Sequence, residues 1–124
     1  MTKEKWNGRQ LLVGIDIGST TTKVVATDKA GEEILYTDYR RHHANQVQSV
    51  ICVLKQLNER FPAARIRLAL TGSGAKSIAD RLGLPFVQEV VANSIALREK
   101  YPQVRTAIEL GGQDAKIIFF PQRG

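Results

Sequence analysis

Two short glycine-rich turns carry the residues of this chain that point most directly to chemistry. The first reads Asp16-Ile17-Gly18-Ser19-Thr20-Thr21-Thr22-Lys23, and the second Glu109-Leu110-Gly111-Gly112-Gln113-Asp114. Both place an acidic residue near the end of an apolar run, follow it with glycine, and continue with small polar residues. A turn without Cβ bulk lets main-chain N–H groups come close to an anion. Serine and threonine hydroxyls add short-reach donors. A carboxylate beside such a turn would repel a bare phosphate, so the pairing makes sense with a cation between the two. Mg²⁺ with part of its water shell is the usual bridge. The same arrangement can orient a water for in-line attack on a γ-phosphate. Each turn alone also has an ordinary reading, since strand-end aspartates and Gly/Ser hairpins often only satisfy a turn. Neither turn is a P-loop, and Gly18 leads toward a second strand, unlike the glycine fingerprint of a dinucleotide-binding fold.

The elements that must position these residues follow from periodicity. Leu11 to Ile17 is short, apolar and β-branched, and reads as a strand buried on both faces. Gly18-Ser19-Thr20-Thr21 is a tight turn, Thr22 to Thr27 the return strand, and Asp28-Lys29-Ala30-Gly31 a second turn. Glu33 to Tyr39 completes a three-stranded meander. The period then changes: Val47, Val50, Ile51, Leu54 and Leu57 lie on one helical face, and that helix should stop near Phe61-Pro62. Ile66, Leu68 and Leu70 alternate as a half-buried strand. After the loop Thr71-Gly72-Ser73-Gly74, a short helix turns Ile78, Ala79 and Leu82 inward and ends at Gly83. A further helix covers Glu89 to Lys100. Thr106 to Leu110 and Ala115 to Phe120 form the last two strands. The order β-β-β-α-β-α-α-β-β predicts an α/β fold with a mixed sheet and helices packed against it.

Composition narrows the class. The chain has 124 residues, 18 basic and 12 acidic, for a formal net charge of +6. Its 43% hydrophobic and 24% charged content suits a globular domain. No apolar run approaches the ~20 residues that span a bilayer, and Met1 to Trp6 lacks a secretory signal, so the default compartment is the cytoplasm. The basic residues are spread along the chain, with one short cluster at Arg40-Arg41-His42-His43, and no aromatic residues interleave with them. That pattern argues against nucleic acid. His42 and His43 read as a solvated approach to the long helix, since neighbouring side chains of an extended segment point opposite ways. Residues 1–10 read as a polar, flexible lead-in, with no role assigned to Trp6. Cys52, the single cysteine, reads as a packed helix residue.

The first turn resembles the first phosphate motif of the acetate and sugar kinase/heat-shock chaperone/actin superfamily, whose lobes are ribonuclease H-like. More narrowly, the chain resembles the BadF/BadG/BcrA/BcrD ATPase family, the activators of 2-hydroxyacyl-CoA dehydratases and ATPase subunits of benzoyl-CoA reductases. Thr71-Gly72-Ser73-Gly74 matches that family's Thr-Gly-x-Gly loop. Gln88-Glu89-Val90-Val91-Ala92-Asn93 lines up with its Asn-Glu-Ile-Thr-Ala-His type segment, and Ile108 to Lys116 with its Asp-x-Gly-Gly-Gln-Asp-x-Lys motif. The likeness runs from about Leu12 to Phe120. Glu109 stands where the family has Asp, and Gln88, Val91 and Asn93 also depart; these changes resemble the long fused activase branch.

The resemblance implies two lobes with Mg²⁺ and ATP in the cleft between them. The first lobe would span 11–104. The second, only begun, would start at Arg105 and run through 105–124. In that scheme Asp16 and Glu109 serve the metal, and Gly18, Ser19, Thr20, Thr21, Thr22 and Lys23 face Gly111, Gly112 and Gln113 across the phosphates. Asp114 and Glu89 join Asp16 and Glu109 as candidate catalytic or switch residues. Glu89 reads equally as a helix-start carboxylate, and Lys23 as a solvated strand residue. The family holds a [4Fe–4S] cluster across a homodimer on two cysteines that this chain lacks. It takes electrons from reduced ferredoxin or flavodoxin and passes them to an acyl-CoA dehydratase or reductase. The chain thus reads as an N-terminal fragment of such an activator. A small-molecule kinase of the same fold, with Asp114 as base, and a non-catalytic interaction lobe stay open as alternatives.

Overall fold

The computed structural model describes residues 3–103, 105–110 and 115–119. Contacts divide the chain into two units, 1–86 and 87–124, so the helix from Glu89 groups with the later residues. Unit one holds α1 (Lys3–Trp6), β1 (Gln10–Ile17), β2 (Thr21–Thr27), β3 (Ile34–Arg41), α2 (Gln46–Arg60), β4 (Arg65–Thr71) and α3 (Ala75–Leu82). Unit two holds α4 (Glu89–Lys100), β5 (Thr106–Leu110) and β6 (Ala115–Phe119), the last two an antiparallel pair.

The first unit's sheet runs β3-β2-β1-β4. The meander makes β1, β2 and β3 antiparallel, and α2 then carries the chain across the sheet so that β4 pairs parallel to β1. A crossover helix is what a parallel neighbour requires. The β1 strand alternates, with Leu11, Val13, Ile15 and Ile17 buried and Leu12, Gly14 and Asp16 on a partly open face. This corrects the expectation of burial on both faces: one face meets α2 and α3, and the other is only partly covered. Val24 and Ala26 of β2, Val50, Val53 and Leu57 of α2, Leu70 of β4 and Ile78 of α3 complete the core. Burial along β4 rises from an exposed Ile66 to a fully buried Leu70, because the Pro85–Phe86 segment covers the strand's far end, with Leu70 N–H donating to Pro85 O at 2.9 Å.

Local signals set the element ends. Asn45 caps α2, its side chain accepting from the Gln48 N–H at 3.3 Å. The helix closes before Pro62, as proline's effect on its predecessor predicts. Gly83 ends α3 in the left-handed conformation. Leu82, expected inward, is exposed, since the core cluster does not reach this last helical residue. Gln56 of α2 ties the helix to β3, accepting from Tyr36 Oη at 3.2 Å and from Arg40 at 2.6 Å, while Arg40 also pairs with Asp38. Arg40 of the basic cluster is therefore committed to packing.

Residues 3–10 depart from the expected polar lead-in. Trp6 is only 4% exposed, and its ring meets Phe61 edge-on at 4.8 Å. Gly8 N–H donates to Ala63 O at 3.0 Å, which fixes the segment beside the end of α2. One buried aromatic anchors the segment while its neighbours Lys5, Asn7 and Arg9 stay exposed to water, so the local polarity opposes nothing.

The loop between β4 and α3 crosses the end of β1. Gly74 N–H donates to Ile17 O at 2.9 Å. A Cβ on Gly72 would sit 2.3 Å from Ile17 O and 2.5 Å from Asp16 Oδ1, and its φ is +104°. Only glycine fits there on both counts.

Four outcomes follow from this packing and from the β2–β3 turn. Trp6→Ala should cost about 3 kcal/mol in urea unfolding; a loss below about 0.5 kcal/mol would show that the ring is not part of the core. Gly72→Ala should cost more than about 2 kcal/mol, from backbone strain plus the main-chain clash. Gly74→Ala should be milder, since its added Cβ meets only the movable Gln46 side chain; equal effects would contradict this. The Glu32 N–H donates to Asp28 Oδ1 at 2.9 Å and, with further turn amides, holds the Asp28 carboxyl below the ordinary 3.8. Its support of the β2–β3 turn is thus present at neutral pH and lost as pH falls through that lowered value. An acid titration of the Glu32 amide shift checks this; a midpoint at or above the ordinary value would refute it.

Candidate functional site

The β1–β2 register builds the first site. Ile17 opposes Thr22, and Gly18 N–H donates to Thr21 O at 2.9 Å, closing the turn. Asp16 lies directly opposite Lys23 on β2 and opposite Thr71 on β4, while Lys23 opposes Tyr39 on β3. Because strand alternation fixes faces, Tyr39, Lys23, Asp16 and Thr71 form a row across the sheet on its less covered side. Lys23 Nζ is 5.7 Å from the centre of the Tyr39 ring. An acid and a base thus stand side by side next to the turn. Asp16 is half-buried and meets the glycine loop at Gly72.

Ser19 and Thr20 are exposed at the turn and Thr21 is half-buried. Thr22 is 1% exposed, so its side chain belongs to the core and not with the phosphate donors it was grouped with. The reason is strand parity: Thr22 opposes Ile17, which is itself inward. A Cβ at Gly18 would meet nothing closer than Thr21 O at 3.7 Å. Protein packing does not require glycine there, and the space suits close approach of an external group. Hard oxygen donors at Asp16, hydroxyls at Ser19 and Thr20, and the Lys23 cation form a donor set that fits a magnesium-bound phosphate. Beside them opens a polar cleft lined by Ser19, Gln46, Ser73, Lys76, Ser77 and Asp80.

Two residues of this neighbourhood escape the sequence reading. His42, expected solvated, is 5% exposed, and its Nε2 lies 2.9 Å from Gly18 O. Gln46 Nε2 donates to the same oxygen at 3.2 Å. The β3 strand runs to Arg41, two residues beyond its expected end, and this carries residue 42 beside Thr20. A meander necessarily brings its third strand's end to its first turn; following β3 to that end was the signal. His43 is exposed, as expected. Cys52 is half-buried in α2, within 3.7 Å of Gln48 Nε2.

In the second unit Glu89 is half-buried in the first turn of α4, where the helix dipole favours a carboxylate. Glu109 lies in β5 and pairs with Lys116 of β6. Gly111, Gly112, Gln113 and Asp114 lie outside the described residues. Among the described residues, no cluster of three metal-ligating side chains occurs and no helix is long and apolar enough to cross a membrane.

Comparison with known proteins places this geometry. The protein MJ0004 of Methanocaldococcus jannaschii, described as uncharacterized, is 26% identical over 114 residues, covering 92% of this chain and 45% of that protein. The structure of the (R)-2-hydroxyglutaryl-CoA dehydratase component A of Acidaminococcus fermentans is similar, with a TM-score of 0.70 at 23% identity, covering 90% of this chain and 43% of that one. An Aquifex aeolicus member of the Ppx/GppA family superposes with a TM-score of 0.56 at 15% identity, over 90% of this chain and 51% of that one. The ethanolamine utilization protein EutJ of Carboxydothermus hydrogenoformans gives 0.59 at 18%, over 88% and 47%. The chain spans about half the length of these relatives or less. Its fold is the expected α/β, actin-like ATPase type, with a mixed sheet. The family model described as BadF/BadG/BcrA/BcrD ATPase family matches residues 13–124, and the chain belongs to that family.

Proposed function

We propose that this chain is the first phosphate-binding lobe of an ATP-hydrolysing activator that serves an acyl-CoA dehydratase or reductase. The observation that carries the reading is the row Lys23–Asp16–Thr71 beside the Gly18–Thr21 turn. Asp16 is half-buried at the end of an otherwise apolar strand, on the sheet's less covered face. Its place next to exposed hydroxyls and turn amides suits a cation held toward a phosphate.

In this reading Asp16 would help hold a magnesium ion, which would supply charge neutralisation for phosphoryl transfer when bound. The turn amides and the Ser19 and Thr20 hydroxyls orient phosphate oxygens. Lys23 holds the Asp16 side of the site electrically balanced. Glu109 and the motif Gly111-Gly112-Gln113-Asp114 are the further candidates for metal and phosphate in this reading. Glu89, at a helix start, is the candidate that senses the state of the phosphates. The family and the dehydratase component of similar fold support a dehydratase-type partner; a homodimeric parent and a reduced ferredoxin or flavodoxin as donor belong to the same proposal and rest on the family resemblance alone. The single cysteine, half-buried in α2, does not fit a cluster that needs two thiolates per chain, so no step here runs through iron and sulfur.

Mg-ATP titrated into the 124-residue chain should shift the amide resonances of Gly18 to Thr21, and Asp16→Asn should remove the magnesium dependence of those shifts while leaving the urea midpoint unchanged. Turnover by these 124 residues should be slow or absent, since they span less than half of the dehydratase component of similar fold. Shifts centred on another part of the chain, or fast turnover abolished by Asp16→Ala, would contradict the reading.

A further inference from the structure

His42 is held at four points. Its main-chain N–H donates to Thr20 O at 3.1 Å, and its carbonyl accepts from Asn45 N–H at 2.8 Å. Its ring meets Gly18 O through Nε2 at 2.9 Å and Ala44 N–H through Nδ1 at 3.1 Å. An amide N–H can only donate, so Nδ1 accepts and the ring proton sits on Nε2, donating to Gly18 O. The chain bends to make this happen: His43 and Ala44 take φ of +50° and +63°, a left-handed pair without glycine. Such conformations cost free energy and persist where the surroundings over-determine them.

The Gly18 carbonyl accepts from two side chains at once, His42 and Gln46, which uses both of its lone pairs. A trans peptide is planar, and its N–H points opposite to its C=O. No cis peptide occurs among the described residues. Holding Gly18 C=O inward therefore aims Ser19 N–H outward. Holding Thr20 C=O with the His42 N–H fixes Thr21 N–H in the same manner. Donors on a carbonyl also polarise the peptide and strengthen its N–H as a donor.

We infer that His42 is a positioning residue for the phosphate turn: it acts through the Gly18 and Thr20 carbonyls to set the direction of the Ser19 and Thr21 amides before any anion arrives. The role rests on the phosphate reading of that turn, and the test separates the two. Glutamine places an amide N–H where Nε2 stands, whereas asparagine reaches only the Nδ1 position. Gly18 N–H closes the turn on Thr21 O, so its exchange reads how often the turn opens. In the nucleotide-free chain, His42→Asn, which removes one bond holding the closed turn, should speed that exchange about five- to tenfold. His42→Gln should return it to within about twofold of the parent, and Gln46→Met, which removes the other donor, should fall between them. Core amides such as Val13 should not change. Mg-ATP affinity should drop in the same order as exchange rises, at an unchanged pattern of shifts on saturation. Equal exchange in His42→Asn and His42→Gln, or an unaltered Gly18 amide in both, would overturn the positioning role. Should His42→Asn not fold, His42→Met, which fills similar space without a donor, takes its place, and an unaltered Gly18 amide there overturns the role equally. A parent chain that binds no Mg-ATP would instead overturn the phosphate reading, with the exchange rates still deciding what His42 does.

Discussion

Ile15 and Ile17 are fully buried, and Asp16 lies between them. The rest of the site hangs on this alternation. β1 has neighbours on both sides, so its register is locked from two directions. A slip of one residue would put a carboxylate into the core and two isoleucines into water. The hydrophobic effect, which has no directional preference of its own, thereby fixes the position of one charged group closely. The turn, the glycine loop and the His42 bend are then arranged around a strand end that cannot drift.

Three elements meet at that strand end, and each acts through or upon the main chain. The β1–β2 turn brings its amides and hydroxyls. The Gly72 loop crosses so near to Ile17 and Asp16 that no side chain fits beneath it. The β3–α2 bend brings His42 and Gln46 to one carbonyl. Main-chain groups carry no charge that binding must desolvate, and they move only when their element moves. Such groups suit a site that must hold a phosphate in one orientation.

The fold was legible wherever periodicity or turn chemistry was strong. Strand alternation, the face of α2 and the stop signals at Pro62 and Gly83 each had one physical reading. Trp6 was not legible, because burial of a lone aromatic depends on a partner, Phe61, that lies 55 positions away and is known only once the chain is folded. His42 is legible only in part: the meander brings the end of β3 to the first turn, but its partner there is a backbone carbonyl, which no residue type announces. Thr22 was grouped with its neighbours by composition, whereas parity sends its side chain inward. Asp16 and Lys23 were legible as types and spacing, and the register adds that they are cross-strand neighbours. The dehydratase component, the Ppx/GppA protein and EutJ share the architecture at low identity, so fold alone does not select among activities. Membership of the ATPase family narrows that choice, and the carboxylate beside the turn gives it a physical basis.

The central claim is that Asp16 and the Gly18–Thr21 turn hold a metal-bound phosphate together. Crystals of this chain grown with Mn²⁺ and ADP test it most directly, through the anomalous signal of manganese. The account predicts a manganese peak bound to the Asp16 carboxylate or one water away from it, with phosphate oxygens on the turn amides. Manganese and phosphate seated elsewhere on the chain, with Asp16 in contact only with protein, would contradict it.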